Sequence, residues 1–236
     1  MDTIRHRKIL TYLKKRKSCT IPEIMEKFGI SQATAYRDIY TLSRSDAVER
    51  VKGGAVYNEM AGGVREPSGF MDRIITHRTA KIAAAQKAVS LVKEGDIVFI
   101  DSSTTMYEFA VLLQRQPLEH LTVITNALAV MNLFRKFPPY WTMIGIGGCY
   151  DQQLNSILGL SAVEQLSQFN ITKAFVSCFG VDDKTATTNH ERQAEFLRKV
   201  LDMADSRYLV ADHTKIGRKG LYRIAPRGAF DAILTD

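Results

Sequence analysis

Apolar residues in the first part of the chain recur at helical spacing. Within residues 3–16, Ile9, Leu10 and Leu13 share one face and a row of cations occupies the other. Residues 20–42 form two shorter helical patterns that meet at Gly29. Pro22 suits the first turn of the earlier one, where its missing N–H is no loss. Gly29 stands where that helix must stop and the chain must turn. Ile30 plugs the turn, and Ser31 is placed to cap the next helix through its hydroxyl. In that second helix Ala35, Ile39 and Leu42 fall at i, i+4 and i+7 and share a buried face, while Ala33, Tyr36, Arg37 and Tyr40 project from the other side. Residues 48–57 then read as two short strands joined through Gly53-Gly54.

The pattern changes after residue 57. Residues 58–69 hold three Gly, a Pro and little apolar content, the composition of a linker. From Phe70 a long helical pattern (Ile74, Ile75, Ile82, Ala85, Ala88, Val89, Val92) runs to Gly95. Apolar strands then alternate with helices. Strands are expected at 97–100, 121–125, 141–146, 174–177, 208–211 and 232–234. The helices between them are expected from about 104 to 113, at 127–134, from a Ser161 cap to 166, and at 191–203. Strands that are continuously apolar and separated by helices predict a mostly parallel α/β sheet covered on both faces. The expected domains are 1–58, a linker at 59–69, and 70–236.

Composition fits a two-domain globular chain, with 45% hydrophobic and 24% charged residues. No apolar run approaches the roughly 18 residues of a membrane span, and the basic start leads into an amphipathic helix, so a cytoplasmic location is expected. Cys19, Cys149 and Cys178 are far apart and odd in number, as reduced thiols would be. The histidines show no i, i+4 pairing, and neither a metal nor a cofactor is expected.

Charge is divided unevenly. Residues 1–65 carry 13 Lys+Arg against 7 Asp+Glu, and the remainder 19 against 18, so nearly all of the net +7 lies on the amino-terminal part. That is the footprint of phosphate attraction. Together with the layout at 20–57 it predicts a winged helix-turn-helix that reads duplex DNA. The start of its second helix lies in the major groove, with Ser31, Gln32, Ala33, Thr34, Tyr36, Arg37 and Tyr40 as DNA contacts and Arg50 and Lys52 on the wing. In the sheet domain, ligands of open parallel sheets sit beyond the carboxyl ends of the strands. The segments there are Asp101-Ser102-Ser103-Thr104-Thr105, Thr125-Asn126, Gly147-Gly148, Cys178 to Asp182 with Gly180, and Asp212 to Gly217 with Lys215. Any one of these reads first as a helix cap or turn. Five polar clusters on one rim point to a small-molecule site. There Lys215 and the start of a helix would favour phosphate, and Asp101, Asp182 and Asp212 would accept from hydroxyls.

These segments resemble the DeoR family of bacterial transcription regulators over essentially the whole chain. The amino-terminal match is Ile30-Ser31, Thr34, Arg37-Asp38-Ile39 and Leu42, with Gly53-Gly54 in the wing. The carboxyl-terminal match is Asp101 to Thr105, Thr125-Asn126, Gly147-Gly148, Gly180 to Asp182, Asp212 to Lys215 with Gly217, and Ile233 to Asp236. The resemblance implies a sugar-phosphate sensor domain related in fold to ribose-phosphate isomerases and CoA transferases. It also implies a phosphorylated sugar as effector, a repressor of a carbohydrate operon, and a homodimer or homotetramer. Three features depart from the family. Tyr36 stands where a second basic residue is usual, offering an aromatic to a thymine methyl or a sugar. Ser103 stands where Gly is common, and the family normally continues beyond the final Thr-Asp, so the sensor domain is expected to lack a last element. Two other readings stay open: a sugar-phosphate isomerase-like enzyme tethered to DNA, and a protein-binding adaptor. Turnover by the purified protein would favour the first, and failure to retain any duplex at low salt the second.

Overall fold

The computed structural model describes residues 2–43, 48–51, 53–57 and 69–236. The chain divides into two compact units, Met1–Ser68 and Gly69–Asp236. Apart from Gly69, the expected linker lies outside the described residues, as does Lys52.

The first unit contains α1 (Asp2–Arg16), α2 (Ile21–Phe28) and α3 (Gln32–Leu42). With them is an antiparallel sheet in the order β1 (Ser18–Thr20), β3 (Gly54–Tyr57), β2 (Val48–Val51). Its core is the one the apolar spacing requires: Ile9 and Leu13 of α1, Ile24 of α2, and Ala35, Ile39 and Leu42 of α3 are buried together. Strand β1 was not expected, because Ser-Cys-Thr is too short and polar to carry an alternation signal. It pairs with the wing through Cys19↔Ala55, at an approach so close that a Cβ on Gly54 would collide with the Cys19 carbonyl.

The second unit is built on a wholly parallel six-stranded sheet. Its order is β14 (Ala232–Leu234), β12 (Ala204–Val210), β9 (Ile171–Val176), β4 (Ile97–Ile100), β5 (Thr122–Thr125), β6 (Thr142–Gly145). Successive strand residues face opposite sides. Val98, Ile100, Val123 and Phe175 enter one core with α5 (Arg78–Val89), α6 (Thr104–Leu113) and α7 (Leu128–Leu133). Phe99, Ile124, Ala174 and Val176 enter the other with α8 (Leu160–Leu166) and α9 (Glu191–Met203). Two buried faces explain the uninterrupted apolar strands. On the first face Phe175 stacks between Phe109 and Tyr208, at centroid distances of 4.7 and 4.9 Å. Near its margin the buried Trp141 donates its indole N–H to the Leu118 carbonyl at 2.8 Å.

Several expectations are corrected. The pattern from Phe70 is not one helix but two, α4 (Phe70–Ile75) and α5, separated by an extended Thr76 and a left-handed His77 (φ 51, ψ 34). The break lets Phe70 pack edge-on against Tyr107 while Ala84, Ala85 and Ala88 of α5 enter the core. Gly159, not Ser161, precedes α8, with φ 103 that favours glycine. Strands β9 and β12 begin earlier than expected, since Lys173 and Ser206 interrupt their apolar runs. Two antiparallel pieces had no apolar signature: the hairpin β7 (Cys149–Asp151) and β8 (Ser156–Leu158), and the small sheet β10 (Gly180–Val181), β11 (Thr185–Thr188), β13 (Tyr222–Pro226). β11 is Thr-Ala-Thr-Thr and wholly buried, which is tolerable because Thr185, Thr187 and Thr188 each donate their hydroxyl, to Ala225 O, Gly180 O and Gln193 Oε1.

Candidate DNA-reading and effector sites

The DNA reader is set by caps. Thr20 accepts from the Glu23 N–H while the Glu23 carboxylate accepts from the Thr20 N–H at 2.7 Å, a reciprocal box that starts α2 with Pro22 inside its first turn. Gly29 closes α2 in the left-handed region (φ 60, ψ 40). Ser31 Oγ then accepts from the Thr34 N–H at 3.3 Å and starts α3. This leaves Ser31, Gln32, Ala33, Tyr36, Arg37 and Tyr40 exposed, with Thr34 half-buried beside its cap. On β2, Arg50 places its guanidinium 5.6 Å from the centroid of the Tyr40 ring, bringing wing and recognition helix together in one cationic and aromatic surface.

In the sequence Asp38 stood only as a member of the family signature, without a role, and it is the residue that fixes α3. It lies on the inner side of the helix, 2% exposed. Arg5 Nε donates to its Oδ2 at 2.6 Å, Arg5 Nη2 to Oδ1 at 3.0 Å, and His6 Nε2 approaches Oδ1 at 3.0 Å. Burial pushes the carboxyl upward, but the bonds from Arg5 and His6 outweigh it and hold Asp38 below the usual carboxylate range.

In the second unit the chain runs from β4 to β5 and β6 on one side and then returns to β9 on the other. The switch in direction therefore lies between β4 and β9, where a ligand crevice is expected. Asp101 sits there, 1% exposed. Its Oδ1 accepts from the Ser103 N–H at 2.7 Å and its Oδ2 from the Ser177 N–H at 2.6 Å, which ties the two diverging loops together. Burial raises the Asp101 carboxyl, while those N–H groups and the Arg73 charge act against the rise. Ser103 Oγ caps α6 through the Met106 N–H at 3.1 Å, and Ser102, Thr104 and Thr105 are buried around that turn. The first N–H groups of α6 have no partner within the helix.

The neighbouring loops contribute unevenly. Thr125 Oγ1 donates to Ile100 O at 2.7 Å and accepts from the Ala127 N–H, a structural role. Asn126 donates to Ser156 Oγ and Ile157 O, and its Oδ1 is buried without a partner. Asp212 Oδ1 accepts from the Thr214 N–H and hydroxyl, and its Oδ2 is likewise buried and unpartnered. Lys215 holds its ammonium 5.6 Å from the Phe179 ring centroid. Cys178 lies among the charges of Lys215, Asp101 and Asp212, and burial pushes its thiol up to about 12.

Other residues named from sequence have local work. Asp182 Oδ1 accepts from the Lys184 and Thr185 N–H groups, and its Oδ2 faces Lys219 at 3.8 Å. Gly180 lets its strand meet the Arg218 backbone, where a Cβ would collide. The exposed Gly147 donates its N–H to Gln165 Oε1 at 2.5 Å, and Gly148 (φ 145) packs on Ile157, Leu158 and Ala162. Sequence reasoning missed two cations. Lys81 of α5 is 5% exposed and donates to the Arg73 carbonyl at the end of α4. Arg73 lies in the fields of Asp101 and Asp151, with its Nε buried and unpartnered.

Among the described residues no group of His, Cys, Asp or Glu is placed to hold a metal ion, and no helix is long and apolar enough to cross a membrane. Residues 5–61 match the DeoR-like helix-turn-helix domain, and residues 76–236 the DeoR C terminal sensor domain. The HTH-type transcriptional regulator IolR of Bacillus subtilis (strain 168) is 30% identical over 236 residues, covering 100% of this chain and 91% of IolR. The HTH-type transcriptional repressor GlcR of the same organism is 28% identical, covering 97% of this chain and 86% of GlcR. The lactose phosphotransferase system repressor of Lactococcus lactis subsp. lactis is 28% identical, covering 97% and 89%. These relatives are transcriptional regulators, not enzymes. The chain therefore belongs to the DeoR family, as a helix-turn-helix transcriptional regulator with a carboxyl-terminal sensor domain.

Proposed function

We propose that this protein represses a carbohydrate-use operon and that a phosphorylated sugar, bound at the switch point of its sheet, changes its grip on the operator. The observation that carries the sensing half is a mismatch of partners. Asn126 Oδ1 and Asp212 Oδ2 are buried acceptors without donors, while Arg73 Nε is a buried donor without an acceptor. Buried polar groups are ordinarily satisfied. A ligand that brings hydroxyl donors and an anionic acceptor meets both needs. GlcR and the lactose phosphotransferase system repressor carry repression in their names, and the latter a sugar transport system. The reading half rests on the exposed face of α3 and the Arg50–Tyr40 pair. Two-fold operators make a homodimer or homotetramer the working state.

A ligand alters operator affinity only by its differential affinity for two arrangements of the protein, typically about 1–3 kcal/mol of coupling. The test is fluorescence anisotropy on DNA taken from upstream of the protein's own gene and its neighbours. We expect tight binding that weakens as salt rises and that shifts by about 5-fold to 150-fold with one member of a sugar-phosphate panel. Operator binding indifferent to every phosphorylated sugar would refute the sensing half. Absence of duplex binding in dilute buffer would refute the reading half.

A further inference from the structure

The wing and the recognition helix meet at one exposed pair, and strand geometry explains why. Successive residues of β2 face opposite sides. Val48 is buried in the core with Ala35, Ile39 and Leu42 of α3, so its side of the strand is the one turned to that helix. Arg50 lies two residues on, along the same side. Its guanidinium carbon comes to 5.6 Å from the centroid of the Tyr40 ring, inside the roughly 6 Å over which cation–π attraction operates. Glu49, between Val48 and Arg50, falls on the opposite side.

Tyr40 is 55% exposed, so its ring has little part in the core. It also stands late in α3, well beyond Gln32 at the start of that helix. At about 1.5 Å per residue the separation is roughly 12 Å along the axis. Recognition helices read base edges with their N-terminal residues, and a residue that far along has left the reading stretch.

Resting on the DNA-reading role proposed above, we infer that Tyr40 is a positioning residue: it holds Arg50 for one phosphate of the operator and reads no base itself. An arginine on a short hairpin otherwise samples many rotamers, and ordering it only on contact with DNA opposes binding. Against the ring, that ordering is present beforehand. A planar guanidinium can lay its face on an aromatic and still present N–H donors at its edge, a division of roles that a lysine ammonium lacks. The wing thereby keeps a fixed distance from α3, and the phosphate it meets sets the register in which Arg37 addresses the bases.

Fluorescence anisotropy on the full chain, with the upstream fragment and a duplex of scrambled sequence at several salt concentrations, tests this. Tyr40→Leu should weaken both duplexes alike by about 2-fold to 5-fold, the equivalent of an exposed cation–π contact. It should also flatten the slope of log K against log salt by most of the one phosphate assigned to Arg50. In an Arg50→Ala background Tyr40→Leu should add nothing to either loss. Tyr40→Phe keeps the ring and should recover affinity and slope, whereas Arg50→Lys should recover only part of what Arg50→Ala loses. Replacing a merely structural tyrosine would leave the salt slope alone. An unaltered slope in Tyr40→Leu therefore overturns the inference, as do losses that add in the double variant. A changed preference between operator and scrambled duplex with the slope intact would overturn it too, by making Tyr40 a base reader. If wild type bound neither duplex, the DNA-reading role itself would fall, an outcome distinct from a wild type that binds and a Tyr40→Leu variant that keeps its slope.

Discussion

Replacing Asp38 by Asn separates the DNA reader's architecture from its contact surface. The carboxylate is buried on the inner face of α3 and accepts from Arg5 twice and from His6 once. Asparagine keeps the volume but removes the charge and turns an amide NH₂ toward a guanidinium that can only donate. Breaking a buried pair by removing one partner typically costs about 3–5 kcal/mol. The Arg5 side chain is 31% exposed, so water recovers part of that and the expected loss is about 2–3 kcal/mol. Amide hydrogen exchange on the full-length protein reads this locally, because protection reports the free energy of opening each region. Slow amides of α1 and α3 should exchange about 30-fold to 150-fold faster in the variant, at 1.4 kcal/mol per factor of ten. Amides of β4 and β9 in the other unit serve as an internal control and should not change. Protection in α3 within about threefold of wild type would show that the Arg5–Asp38–His6 cluster does not hold the helix. The same cluster sets an acid limit: Asp38 is held below its unfolded value, so its contribution is complete above that value. It fades as pH falls through the lower folded one.

Other outcomes follow from the same geometry. Arg37→Ala should cost about 1–3 kcal/mol of operator affinity and relax the preference at one base position. Unchanged discrimination between operator and mismatched duplex would remove Arg37 from the reading surface. Arg50→Ala should weaken binding to all sequences alike and reduce the slope of log K against log salt by about one, measured by anisotropy at several salt concentrations. Gly54→Ala puts a Cβ against the Cys19 carbonyl, where backbone cannot yield, and should destabilise the wing sheet by about 1–3 kcal/mol. Faster exchange confined to β1, β2 and β3 would register it. Iodoacetamide at pH 8 should modify the exposed Cys149 well before the partly buried Cys178, whose thiol stays protonated, and equal rates by mass spectrometry would contradict that environment.

What could be read in advance divides by the kind of physics involved. The helix-turn-helix was legible because its signals are local: Gly29 in the left-handed region, Ser31 at the cap, and a three-residue apolar stripe in α3. The parallel sheet was legible because strands buried on both faces leave no polar alternation. β11 was not, since Thr-Ala-Thr-Thr is stabilised by hydroxyl bonds to distant carbonyls that no spacing announces. The break at Thr76 and His77 was hidden for a similar reason: neither residue is a helix breaker, and packing on α6 sets the corner. Asp101 and Asp212 were found by the rule that ligands gather beyond strand ends. Arg73 and Lys81 escaped it, because they come from helices that precede the first strand, and a cation in an amphipathic pattern ordinarily belongs to the solvent side. Asp38 was legible as part of the family signature but its role was not, because only tertiary structure turns it and Arg37 to opposite faces.

The single tryptophan has an optical consequence. Trp141 is enclosed in the sensor core with its N–H bonded to Leu118 O, whereas Tyr12, Tyr36, Tyr40 and Tyr57 are the large chromophores of the DNA reader. Light absorbed beyond the tyrosine band therefore interrogates one half of the molecule and is blind to the other. Melting curves followed by red-edge emission and by ellipticity should part company wherever the halves unfold independently, giving a label-free measure of how tightly they are coupled.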